Sequence, residues 1–417
     1  MRQLRSLLLV MLTLIACGDP GPDGADAGPP PDAQVPPDAV ADPELLGIED
    51  VTYVGAFRVS SDDFGASNAN YAVGTLAYNP QHHSLFLAGH AQHNCIAEFA
   101  IPTPGQATDV ASLPLVEAPL QPFTALLDAA PGGNPEELNR VTGMLWIDGS
   151  LIVNAENWYD AGGTGVDTTL VVRDASDLAG AVDGYFELGG AAHAGGYLGP
   201  VPPEWQSALG GTHLTGWASN YSIISRYSIG PSLFVLDPQD LLATGPGAQG
   251  PIATSVLMDF PHADARYLGA DALTTQQGSA PALWNFLSRA MVAFIVPGTR
   301  TLAAFGSSGG VDSGIGYKIT QDDGNLCGGY CAYAADDYYN HYWFFDLDEI
   351  LAASEPWEPR PYAFGRWSVP FDDGGRHAIL GGTYDPEGHT LYLALDGAGQ
   401  VGEYDRPPQI LVFSVGF

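Results

Sequence analysis

Seven residues have the types and spacing to recognise a ligand: His90, Arg140, Glu156, His213, Arg289, His377 and Asp396. Guanidinium groups grip carboxylates and phosphates with two parallel hydrogen bonds, and imidazoles add a donor or acceptor near neutral pH. The chain is poor in such cations, with 13 arginines and one lysine, Lys318, against 48 acidic residues. Arg140, Arg289 and Arg376 gathered in one place would therefore point to an anionic or polyhydroxyl ligand. The bland alternative is that they pair with neighbouring acids and only close a channel. Glu156 and Asp396 are the candidate catalytic residues, because glycoside hydrolysis uses two carboxylates flanking the scissile bond.

Metal chemistry has weaker support. Asp322, Asp323, Asp336 and Asp337 supply hard oxygen donors in short loops that can hold calcium. The regular Asp-x-Asp-x-Asp-Gly spacing is absent, and a solvated acidic loop explains the same residues. His90 and His93 stand three apart in a turn and could share an ion, with His213 or His377 completing the set. No helix fixes this spacing, however, and loop histidines are more often surface or hydrogen-bonded residues. Cys327 and Cys331 are expected to close a short loop as a disulfide in an oxidising compartment, which leaves Cys95 free.

The N-terminus explains why an oxidising compartment is expected. Arg2 and Arg5 precede the apolar run Leu7 to Ile15, which ends in Leu14-Ile15-Ala16-Cys17. A positive start, a short apolar core and a small residue before the cut describe a signal peptide, residues 1–16. Leu-x-Ala-Cys at that place resembles the lipobox of bacterial lipoproteins, which implies lipidation of Cys17. Residues 17–46 are rich in Pro, Gly, Ala and Asp and offer nothing to bury, so they read as a disordered acidic linker. Localisation is expected at the cell envelope, at the outer membrane or cell surface, with membrane contact through the lipid alone. The net charge of −34 repels nucleic acid and anionic lipid.

Residues 47–417 must position the seven side chains, and their organisation shows as a repeat. One unit is a hairpin, seen at Gly74-TLAYNPQHHSLFLAGH, Gly143-MLWIDGSLIVNAEN and Gly382-TYDPEGHTLYLALDG, and in weaker form from Arg289. Apolar runs broken at Asn-Pro, Asp-Gly and Asp-Pro are hairpin signals. A second unit is an apolar strand running into an acidic turn, as in LFVLDPQDLLAT at 233–244 and WFFDLDEILAAS at 343–354. Its Asp can cap a helical turn. Together the units predict an all-β fold of five four-stranded blades, over 71–118, 139–189, 213–260, 288–370 and 377–415. The strand from Val51 to Ser60 is expected to complete the last blade. A β-sandwich, a repeat-free barrel, or a six-bladed ring using 120–138 or 262–286 are the alternatives.

A β-propeller fits this pattern. The segments Pro202-Pro203-Glu204-Trp205-Gln206, Ser228-Ile229-Gly230-Pro231-Ser232-Leu233-Phe234-Val235 and Gly298-Thr299-Arg300-Thr301 resemble extracellular bacterial lipoprotein propellers. That resemblance implies the fold and no activity. In a propeller, starts of first strands and ends of second strands share one mouth, where the seven residues are expected to converge.

The expected function is ligand binding at that mouth by a monomeric, envelope-anchored protein, the ligand being a saccharide, an anionic small molecule or an envelope protein. The alternative is a polysaccharide hydrolase or lyase using Glu156 and Asp396. The anchor is tested most simply: Cys17→Ser should shift the protein from the membrane to the soluble fraction, or block its processing. A correctly cleaved mutant that still partitions to membranes would exclude the lipid.

Overall fold

Short apolar runs separated by turn-forming pairs fold back on themselves wherever the turn chemistry allows. At Asp148-Gly149 both residues adopt positive φ, 49° and 81°. This lets Ile147 pair with Ser150 across a two-residue loop whose twist matches the strands. The computed structural model describes residues 44–160, 163–219, 228–245 and 250–416. The expected signal peptide, Cys17 and nearly all of the linker lie outside the described residues.

The described residues are all-β, with strands grouped in several sheets. Five of these share a core of four antiparallel strands, which in sheets 1 to 4 below pair in sequence order. Sheet 1 contains Leu76–Asn79, Ser84–Ala88, Cys95–Ala100 and Gln121–Ala125. Sheet 2 contains Arg140–Ile147, Ser150–Glu156, Asp167–Val172 and Val182–Glu187. Sheet 3 contains Tyr197–Pro200, His213–Gly216, Leu233–Leu236 and Ser255–Met258. Sheet 4 contains Arg289–Ile295, Thr301–Gly309, Tyr338–Asp346 and Ala363–Arg366. Sheet 5 contains Ile379–Asp385, Thr390–Leu395 and Gln409–Val415, and its fourth strand is Val51–Val59 from the other end of the chain. That strand runs antiparallel to the last one, from Val51 opposite Val415 to Arg58 opposite Gln409. Ala218–Ser219 adds a short edge strand to sheet 4, and Leu115–Val116, expected in the first blade, adds a parallel one to sheet 5. A smaller sheet of Gln276–Gln277, Gly314–Tyr317 and Tyr330–Ala332 gathers parts of the 262–286 segment and of the sheet-4 insertion.

The third unit departs from expectation. Its first strand is Tyr197–Pro200, so the sheet begins well before residue 213. A helix, Pro203–Leu209, separates the first two strands. Pro203 supplies a fixed φ at the helix start, and Gly210, at φ 79°, ends it in the left-handed region. The inserted turn hides the hairpin rhythm. The acidic turns behave as expected in two places. Asp237 accepts from the Gln239 N–H to cap Pro238–Ala243, and Asp346 accepts from the Asp348 N–H to cap Leu347–Ala352. In the segment 120–138 the extended residues serve as the fourth strand of sheet 1.

Both faces of the inner strands are covered, which is why Ser84–Ala88, Ser150–Glu156 and Leu233–Leu236 are buried at every position, whereas outer strands such as Ser255–Met258 and Ala363–Arg366 are partly exposed. Each large cluster of buried side chains fills one gap between sheets. Phe86 and Ile96 meet Met144 and Leu151 between sheets 1 and 2. Ile152 and Val171 meet Phe234 and Leu236 between 2 and 3, and Leu214 and Val235 meet Ala293 and Trp343 between 3 and 4. Phe294 and Phe344 meet Leu393 and Phe413 between 4 and 5, and Phe57 and Tyr392 meet Leu85 and Phe99 between 5 and 1. First strands also lie side by side: 1 against 2, 2 against 3, 3 against 4, 4 against 5, and 5 against 1. The approach is closest at Gly143, where a Cβ would sit 1.7 Å from the Gly196 carbonyl oxygen.

One buried charge ties sheet 1 together. Glu98, 1% exposed, accepts from Asn79 Nδ2 at 2.8 Å, Ser84 Oγ at 2.5 Å and Gln121 Nε2 at 2.6 Å, and pairs with His82 Nδ1 at 3.1 Å. Burial alone would raise its carboxyl, but the hydrogen bonds from Gln121, Ser84, Asn79 and His82 outweigh it and hold the group below the usual range. A carboxyl with a depressed folded pKa stabilises fully above its unfolded value, about 4.3, and loses that stabilisation as the pH falls further. Glu98→Ala, which strands the buried donors of Asn79 and Ser84, should cost about 3 kcal/mol at pH 7. In thermal melts from pH 7 to pH 3, the parent's advantage over Glu98→Gln should shrink below about pH 4. Equal melting temperatures at pH 7 would refute the role.

Candidate functional site

Six of the seven singled-out residues stand where a first strand begins or a second strand ends. Arg140 faces Glu156 in the ladder of sheet 2, with Nη1 3.9 Å from Oε1. The guanidinium also lies 5.6 Å from the Trp158 ring. At the start of sheet 5, His377 Nδ1 bonds to the Asp396 carbonyl oxygen, and the Asp396 carboxylate pairs with Arg406 at 3.1 Å. Arg406 in turn lies 5.7 Å from the Tyr71 ring, which packs edge-on against His90. His90 stacks on His93, and burial followed by repulsion from His93 lowers its pKa. His90, His377 and Asp396 thus belong to one chain of contacts, with Arg140 and Glu156 in another.

Arg289 opens sheet 4 opposite Ser307. With Arg376 it lines a recess of about 380 Å³, together with Ser308, Tyr330, Tyr338 and Tyr339. The Arg376 side chain is 76% exposed and pairs with Asp373 at 3.3 Å. Tyr330 stacks on Phe286 with ring centroids 3.8 Å apart. Its strand is tethered by the disulfide between Cys327 and Cys331. Cys95 is free and buried. Tyr339 is covered by the Arg366 guanidinium, 4.3 Å from its ring. Burial pushes its hydroxyl up to about 12, outweighing the opposing pull of Ser308 and Arg366. This recess offers two cations, phenol hydroxyls and flat aromatic walls, groups that suit a carboxylate-bearing or polyhydroxyl molecule.

His213 is placed elsewhere. It starts the second strand of sheet 3 and pairs with Pro200, at the end of the first strand. That position is at the opposite end of the strand bundle, the consequence of the helix inserted before it. There it lines a different cavity, with Asp148 and Asp385.

The acidic loop residues are committed locally. Asp337 Oδ2 accepts from the N–H groups of Asp312 and Ser313 and from the Ser313 hydroxyl. Asp322 accepts from the Ala335 N–H, and Asp323 from Asn325. Asp336 lies in a shallow depression with Asp322, Asp323 and Arg376. Among the described residues, no three acidic, histidine or cysteine side chains gather as a metal site. Gly306-Ser307-Ser308-Gly309-Gly310 has the spacing of a nucleophile elbow, but Ser308 lies inside the strand Thr301–Gly309 and shares a hydrogen bond with Ser288.

The tyrosines, Arg366 and Arg406 were not distinguishable as site residues in the sequence. Tyr330, Tyr338 and Tyr339 fall in the insertion, outside the repeat, and nothing in their spacing marks them. The adjacent Cys327 and Cys331 are the signal that this loop is held in place.

No family model matches the chain, and no curated protein matches it. Among solved structures, it is similar to a member of the duf4221 family from Bacteroides vulgatus, at 9% identity over 88% of this chain and 98% of that one, with a TM-score of 0.32.

Proposed function

We propose that the five sheets are blades of a five-bladed propeller, exported and lipid-anchored through Cys17, that binds an anionic or polyhydroxyl ligand where the first strands begin. The propeller reading is supported by the order of strands within each sheet and by first-strand contacts that run from sheet 1 to 5 and back to 1. In it Val51–Val59 is the closing strand. Export and anchoring rest on the N-terminal pattern. A saccharide of the envelope or its surroundings is the favoured ligand, and a protein partner at the same mouth is the other candidate.

The observation that carries the binding reading is the recess with Arg289 and Arg376 in a chain that has few cations. Two guanidinium groups beside aromatic walls bind a sugar acid by charge and by stacking on its ring. Hydrolysis has less support. Glu156 is buried beside Arg140, and Asp396 is engaged by Arg406, whereas a glycosidase leaves its carboxylates free at about 5–10 Å across a cleft.

A hexuronic acid and its neutral parent hexose separate the ideas in calorimetric titrations. The uronate should bind, and the hexose should bind at least about tenfold more weakly. Arg376→Ala should remove uronate binding while leaving the melting temperature nearly unchanged, because an exposed ion pair contributes under about 1 kcal/mol. Uronate binding that survives Arg376→Ala, or no uronate binding to the parent, would overturn the assignment.

A further inference from the structure

The ends of the five first strands meet around a second cavity, distinct from the arginine recess. Its wall takes residues from every one of the five sheets, including Tyr78, Trp146, Pro200, Phe294 and Tyr384. Met144, Leu198 and Val292 make the rest of that wall largely apolar. The volume is about 210 Å³, whereas a dry cavity of about 150 Å³ already admits benzene. A molecule slightly larger than a single ring therefore fits.

The charge on this cavity has one sign. Asp148, Asp385 and Glu387 lie at its rim, and none of the residues lining it is arginine or lysine. His213 does not compensate, because burial pushes its imidazole down to about 4, outweighing the opposing pull of Asp237 and Asp148. It is neutral at pH 7, and its Nδ1 is engaged by Thr212. The negative field reaches the wall: burial, then Asp385 and Glu387, raise the Tyr78 hydroxyl. At 0.15 M salt the Debye length is about 8 Å, so these rim carboxylates act on the cavity while the rest of the acidic surface is screened.

We infer that this cavity binds a small organic cation, an ammonium carried on a compact apolar body. The body replaces water against Met144, Leu198, Val292 and Phe294, and the ammonium sits among Asp148, Asp385 and Glu387 near the aromatic rings of Tyr78 and Trp146. Aromatic walls and carboxylates both favour a weakly hydrated cation over a neutral molecule of the same shape. The site is independent of the arginine recess and uses none of its residues.

Choline, its neutral carbon isostere 3,3-dimethylbutan-1-ol and the anion 3-phenylpropionate are the probes, titrated calorimetrically into the intact protein at 0.15 M salt. Choline should bind at least about tenfold more tightly than the isostere, and the anion should not bind. Glu387→Gln combined with Asp385→Asn should reduce choline to the level of the isostere. Asparagine keeps the acceptor that Asp385 Oδ1 offers to the Glu387 N–H, so the melting temperature should hold. Arg376→Ala should leave choline binding intact, which keeps this outcome separate from that of the arginine recess. Equal affinity for choline and the isostere, no choline binding at millimolar concentration, or undiminished binding in the folded double variant would each refute the site.

Discussion

The pairing of Val51–Val59 with Gln409–Val415 is the constraint on which the rest depends. Without it, sheet 5 would end in an open edge beside the buried faces of sheets 4 and 1. The clusters around Phe57 and Phe413 draw on both chain ends at once, since Phe57 packs with Leu85 and Phe99 of sheet 1 while Phe413 packs toward sheet 4. Local hairpins form from their own turns, but the stacking of sheets on both faces needs each neighbour present. Most of the buried apolar surface lies between sheets, so the hydrophobic contribution is collective.

That collective packing gives the two ends of the first-strand bundle different chemistry. Where first strands begin, close glycine contacts such as Gly143 against Gly196 draw the backbones together, and arginines answer the acids nearby. Where they finish, Tyr78, Trp146 and Tyr384 hold the strands apart around an apolar space, and the hairpin turns leave Asp148 and Asp385 at its rim. The same repeat position thus supplies an aromatic residue followed by an acid in more than one sheet. In a chain of net charge −34, Arg140, Arg289 and Arg376 lie at the end where first strands begin.

Much of the architecture was legible from turn chemistry. Asp148-Gly149 demanded a tight hairpin, Asp237 and Asp346 capped helical turns, and the strand at Val51 was needed to complete sheet 5. The third sheet was misplaced because Pro202-Pro203-Glu204-Trp205 builds a helix inside what is elsewhere a hairpin, and this carried His213 to the wrong end. The site was less legible than the fold. Tyr330 and Tyr339 reach the recess through an insertion with no repeat to align it. Tyr78, Trp146 and Tyr384 looked like ordinary strand aromatics, although their shared place just before a turn was a usable signal. Sequence pattern reports which residues occupy equivalent strand positions. It does not report which of them leave a gap between them.

The central claim is that the two chain ends are neighbours in one sheet and lock it. Thr52 and Ser414 are directly opposed, and both are exposed, so replacing both with cysteine tests the pairing with little disturbance to the core. Under oxidising conditions a disulfide should form within the monomer. Because it closes nearly the whole chain into a loop, it should raise stability by about 4 kcal/mol over the reduced form. A double variant that stays reduced under oxidation, or that cross-links only between molecules, would contradict the account.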